Sequence, residues 1–160
     1  MIRDSSIRRL LARFAGLAAA TVALLGCSTA SASPSARSAR TITLSDSANL
    51  HLTSHHGFTL NETGTATGTI SGRIYIHLTV TSTNRVSAEV NLYPSGGSIT
   101  GYATASYRPA GAVATFSGTM RVVRGSGRYN HASGSGLSFS GTVHRTNDAV
   151  TVHVNGHIST

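Results

Sequence analysis

From residue 41 to the end of the chain, apolar and polar side chains alternate with a period of two. Leu137, Phe139, Gly141 and Val143 share one face, while Ser138, Ser140, Thr142 and His144 share the other. Successive strand residues point to opposite faces, so the segment reads as a strand with one dry and one wet side. The pattern repeats. Ile42, Leu44, Ala48, Leu50 and Leu52 predict a first strand or an interrupted pair, with a turn at His55-His56-Gly57. Phe58, Leu60, Glu62, Gly64, Ala66, Gly68 and Ile70 then face a run of threonines. Ile74 to Val80 and Val86 to Leu92 follow, parted by Asn84-Arg85. Beyond the break at Pro94-Ser95-Gly96-Gly97 come Ile99 to Tyr107, a turn at Pro109-Ala110-Gly111, and Ala112 to Val122. Asn147-Asp148 reads as a two-residue hairpin loop before Val150 to Ile158. No helical period occurs after residue 40. The expectation is an all-β, eight-stranded antiparallel up-and-down barrel spanning 41–160.

Glycine argues for closure. Gly64, Gly68, Gly101, Gly118, Gly141 and Gly156 all fall on the apolar face within strands. Each weakens a strand by roughly 0.5–1 kcal/mol relative to alanine, so repetition on one face needs a reason. A sheet curling around that face must bend sharply and bring backbones close. A closed barrel also leaves no exposed edge. The alternative is a two-layer sandwich.

The first forty residues belong to a different class. Arg3, Arg8, Arg9 and Arg13 precede an apolar run from Phe14 to Gly26. That run is too short for a bilayer, which takes about 20 apolar residues, and has the length of a signal-peptide core. Residues 1–27 therefore read as a signal segment, and the protein as exported. Ala30-Ser31-Ala32 fits ordinary cleavage at 32/33, whereas Leu24-Leu25-Gly26-Cys27 resembles a lipobox with cleavage at 26/27 and lipidation of Cys27. Arg8-Arg9 also fits a twin-arginine signal. Residues 28–40 read as a disordered Ser/Ala linker. Cys27 is the one cysteine of the chain, so no disulfide staples the domain.

The formal net charge is +8. After Cys27, nine arginines stand against Asp46, Glu62, Glu89 and Asp148. The arginines are dispersed except for Arg121, Arg124 and Arg128, which argues against a nucleic-acid partner. Anionic surface polymers, lipid headgroups or plain solubility account for the charge better.

Residues 125–134, GSGRYNHASG, followed by Leu137-x-Phe139-x-Gly141, resemble the glycine box of the allene oxide cyclase and dirigent barrels. Gly96-Gly97-Ser98-Ile99-Thr100-Gly101 is similar to a turn and strand of bacterial relatives. Arg124 stands where that box has its first glycine, and Ser126 replaces its threonine. The resemblance covers about residues 60–158. It implies an eight-stranded barrel with a central apolar cavity, a cofactor-independent cyclase or isomerase being one possible activity. No catalytic constellation of those enzymes maps onto this chain.

Glu62 is the chemical candidate. A carboxylate on a dry face must protonate or find a cation, and Arg145 falls on the dry face of its own strand. Such a carboxyl would orient a ligand hydroxyl or act as an acid–base group; at a barrel rim it would simply be hydrated. Tyr107, Phe116, Met120, Phe139 and Phe58 are dry-face residues that line a pocket or fill a core. Their small neighbours leave volume, and eight strands enclose room for side chains or one small ligand. Of the eight histidines, His153 and His157 lie four residues apart on a strand, about 13 Å, too far to share a metal; His144 and His153 are possible diagonal neighbours. The glycine box lacks the Gly-Lys-Ser/Thr ending of a phosphate loop. The Thr63-Thr65-Thr67-Thr69 ladder reflects β-propensity rather than an ice- or sugar-facing array. Three functions fit: a non-catalytic exported barrel holding a small apolar ligand, a cyclase-like enzyme using Glu62, or a partner-binding surface protein with a filled barrel.

Overall fold

A computed structural model describes residues 39–160. The signal segment, both processing sites, Cys27 and residues 28–38 of the linker lie outside the described residues. The eight strands are β1 (Thr41–His56), β2 (Thr59–Gly68), β3 (Gly72–Ser82), β4 (Arg85–Pro94), β5 (Gly97–Ala110), β6 (Val113–Gly127), β7 (Gly134–His144) and β8 (Ala149–Ser159). Each pairs with the next in antiparallel register, and β8 returns to β1, closing the barrel. The sandwich alternative is thereby excluded.

Closure rests on the glycines of the inner face. A Cβ on Gly64 would collide with the backbone of Asn49, one on Gly118 with the carbonyl of Thr104, and one on Gly141 with the Thr151 carbonyl and the Phe116 ring. These are points where adjacent backbones approach too closely for any side chain, as tight coiling demands. Register shifts between Leu52 and Ser54, Val80 and Ser82, Thr100 and Gly101, and Met120 and Val122 add local bends.

The two ends differ. At one, Leu44, Ile70, Ile99, Val122, Leu137 and Ile158 pack into a fully buried cluster. The glycine-box connection folds over this end. Gly127 and His131 adopt positive φ, the latter at 68°, and Ala132 and Tyr129 turn inward against the cluster. Gly125 leaves room for that returning turn, since a Cβ there would strike the Tyr129 carbonyl and approach the Ala132 Cβ to 2.9 Å. The opposite end carries the β1–β2, β3–β4, β5–β6 and β7–β8 connections. There the inward residues Leu60, Leu78, Val80, Val86 and Tyr107 are only half-buried, so this end is open. Arg40 and Thr160 exchange backbone hydrogen bonds of 3.0 and 2.9 Å, which places the start and finish of the described chain at the closed end.

Local expectations change at the turns: that between β5 and β6 is Gly111-Ala112, with Pro109 and Ala110 still paired in β5. The first strand is continuous to His56, and the turn is Gly57-Phe58. Phe58 therefore leaves the dry face for a hairpin tip, where it is 75% exposed. The β7–β8 connection takes four residues, Arg145–Asp148, instead of two. Asp148 sits at φ 53° and the Asn147 side chain accepts from Ala149 N at 3.2 Å, local bonds that Asx residues make well.

Replacing Gly141 with valine should lower unfolding free energy by about 1–3 kcal/mol, the range for overpacking with backbone shift. Urea denaturation should show a lower midpoint at unchanged slope. Thr142→Val, one residue along on the outer wall, should change little. Equal stability for both variants would remove the close-approach account of closure.

Candidate functional site

The inward faces enclose a cavity of about 590 Å³. Its wall is overwhelmingly aliphatic and aromatic, and it extends from the buried cluster at the closed end to the ring of turns at the open one. All six residues singled out as ligand-facing line it: Glu62, Tyr107, Phe116, Met120, Phe139 and Arg145. They arrive from β2, β5, β6 and β7 and from the β7–β8 loop. Phe116 on β6 and Phe139 on β7 meet in a tilted pair with centroids 6.2 Å apart, held there because Phe116 lies opposite Gly141 and Phe139 opposite Gly118. The missing side chains opposite each ring make space for it. Tyr107 stands at the mouth, on the part of β5 that runs past its last pairing with β4, at Ser106–Arg85.

Glu62 lies within the wall rather than at the rim. It is 9% exposed and sits opposite Leu52 on β1 and Ile76 on β3. No side-chain hydrogen bond reaches it among the described residues, while no fully sealed polar atom there lacks a partner, so its carboxyl faces the open space of the cavity. Burial first, and the negative charge of Asp148 second, push its pKa from the usual 4.5 up to about 7. The acid is thus half-neutral near physiological pH, able to donate as well as accept a hydrogen bond.

Arg145 does not supply the counter-charge expected of it. It has left the strand for the β7–β8 loop, is exposed, and its Nη1 donates to the Gly111 carbonyl at 3.4 Å. With Arg85 and Asp148 it borders the mouth instead. The reason is the longer loop: parity along β7 ends at His144, so Arg145 no longer follows the dry-face rule.

A second inward carboxylate, Asp46, was not flagged by the sequence pattern. It occupies an inner-face position of β1, between Leu44 and Ala48, and accepts from Ile70 N at 3.1 Å. Burial raises its pKa, partly offset by the backbone bonds from Ile70 and Thr69. Its even-numbered place in the alternation was the available signal. Its role is to cap the chain at the β2–β3 turn, so it is a structural acid beside the cavity.

The histidines spread over the outer wall. His153 and His157 bond the hydroxyls of Ser47 and Thr43 across the β1–β8 seam, at 2.8 and 3.2 Å. His153 pairs in register with Ser140 and His144 with Ala149, so those two histidines are not cross-strand partners. Among the described residues no three His, Cys, Asp or Glu side chains gather as a metal site.

No protein-family model matches the chain, and neither curated proteins nor solved structures give a match to it. The class that fold and cavity define is a closed eight-stranded antiparallel β-barrel with an apolar interior compatible with ligand binding.

Glu62 gives stability a distinct pH dependence. Its acid form is favoured in the folded state, so the unfolded chain ionises first. Stability should fall as pH rises from about 4.5 to about 7 and level off above, by up to about 3 kcal/mol. Glu62→Gln should flatten that slope and be the more stable protein at pH 8. Chemical denaturation across pH 4 to 8 measures this; a wild type that gains stability over that interval would contradict the burial of an unpaired acid.

Proposed function

We propose that this protein is an exported, non-catalytic barrel that carries a small apolar molecule in its central cavity. The observation that supports the reading most is the cavity itself: about 590 Å³, apolar, sealed at one end and open at the other. Sites for small molecules run about 300–1,000 Å³, mostly apolar with few polar groups. An interior meant only for stability would be filled, because empty volume forfeits packing. This weighs against the filled-barrel, partner-binding alternative. Glu62 is the wall carboxyl left without a side-chain hydrogen bond among the described residues, Asp46 being tied to Ile70 N, and it suits a hydroxyl or carbonyl on an otherwise apolar ligand. Arg145 at the rim suits any polar end left at the mouth.

A second reading is favoured by one observation, the near-neutral pKa of Glu62 in apolar surroundings. That is the state of an acid–base group, and it fits a cofactor-independent cyclase or isomerase of the kind the glycine box resembles. Export weighs toward the carrier, because biosynthetic cyclases work beside their substrates inside the cell.

Titration with the apolar fluorophore N-phenyl-1-naphthylamine should show one saturable site. Ala105→Trp, which projects an indole into the cavity, should abolish it with the far-ultraviolet spectrum unchanged. Glu62→Gln should keep fluorophore binding if the protein is a carrier. No saturable binding by the wild type, together with a native mass equal to the bare chain, would end this reading.

Export leaves its own signature. Mass spectrometry of the mature protein should find either a lipid-modified Cys27 or an N-terminus at Ser33. Retention of residues 1–26 in the mature chain would contradict both.

A further inference from the structure

The outer wall of β3 to β6 carries a pattern that the cavity does not use. We propose that this wall is a binding face for an acidic polysaccharide. Tyr75, Tyr93 and Tyr102 stand on it at 37, 50 and 45% exposure. Exposed aromatic rings on a strand need no such concentration for folding, since their outer faces bury nothing. Tyr75 and Tyr93 meet edge to face, centroids 5.6 Å apart. Guanidinium groups interleave with the rings. Arg73 lies 5.8 Å from the Tyr75 centroid and Arg121 5.7 Å from that of Tyr102, and Arg124 lies opposite Thr100.

The cross-strand register makes these residues one surface. Asn61, His77, Glu89, Tyr102 and Arg121 are successive partners from β2 to β6. Tyr75, Asn91, Thr100 and Arg124 form the adjoining row. A shallow groove of about 630 Å³ follows the first row, bordered by His77, Glu89, Tyr102 and Arg121 and by the hydroxyls of Ser87 and Thr104.

The chemistry selects the ligand. A flat ring accepts the C–H face of a sugar. Planar amide, carboxylate and guanidinium groups beside it satisfy sugar hydroxyls, which both donate and accept. Arginine forks pair with carboxylates in two parallel bonds. The side chains are already held for this: Thr100 Oγ1 donates to Asn91 Oδ1 at 2.8 Å, and Asn91 Nδ2 donates to Glu89 Oε1 at 3.0 Å.

Charge points to an acidic polymer. Asp46 and Glu62 face inward and Asp148 sits at the mouth, so among the described residues Glu89 is the one carboxylate on this wall, against Arg73, Arg121 and Arg124. Single-stranded nucleic acid also uses basic grooves with aromatic platforms. Hydroxyl density separates the two: Glu89 and Asn91 in the middle of the face accept from and donate to the free hydroxyls that every uronate carries and single-stranded DNA lacks.

The test is native affinity electrophoresis of the barrel through gels containing polygalacturonate, with dextran gels as reference, at about 0.15 M salt, where the screening length is near 8 Å. Retardation should appear with polygalacturonate only. Tyr102→Ala and Arg121→Gln should each weaken it about tenfold, equal to 1.4 kcal/mol. Tyr102→Phe, which keeps the ring, should retain it. Arg108→Gln removes the same charge from the open end and should leave it intact. Three results would overturn the proposal: no retardation, equal loss with Arg108→Gln and Arg121→Gln, or displacement of polygalacturonate by oligothymidylate at lower concentration than by free polygalacturonate. None depends on whether the cavity is occupied.

Discussion

The close approach of neighbouring backbones at the inner-face glycines is the constraint from which the rest of this structure follows. Where Gly64, Gly118 and Gly141 sit, the adjacent strand occupies the place a Cβ would take. Tight local coiling lets eight strands meet around an axis and pairs β8 with β1. The same glycines shape what they enclose. Phe116 and Phe139 each lie opposite a glycine, so the rings that narrow the interior are placed by residues with no side chain. Curvature and cavity are thus two results of one steric fact.

Filling is graded along the barrel axis. Near the closed end, large aliphatic side chains and the folded-over connection around Ala132 leave no space. Further along, alanines at positions 48, 66, 103 and 105 replace them, and volume opens. A buried acid becomes tolerable there because it borders a space that can admit water or a ligand group. At the closed end the other inward acid, Asp46, is held by the amide of Ile70; without such a bond an acid there would face carbon, and ionisation would be far costlier.

Period-two patterning carried most of the architecture. Strand number, antiparallel order and the inward face of Glu62, Phe116, Met120 and Phe139 were all readable, because alternation survives as long as a strand runs straight through its pairing. It failed at the turns. Phe58 continued the parity of its strand but belongs to a hairpin tip, since Gly57 adopts the positive φ of the turn. Arg145 likewise continued the parity of β7, yet the four-residue loop had already begun. Both errors arise where local hydrogen bonding overrides alternation, and single-residue loop boundaries leave little trace in the pattern. Asp46 was missed for the opposite reason: parity was correct, but a polar residue on a dry face reads as an interruption until its partner, the amide of Ile70, is visible. The outer tyrosines lie far apart in sequence, and only the register of β3, β4 and β5 brings them onto one face.

The pairing of Arg40 with Thr160 has a further consequence. The described polypeptide enters and leaves the barrel at its base, at the pole opposite the four-hairpin lip. Fraying of the first and last strand pairs would therefore begin at the plugged pole, away from the opening.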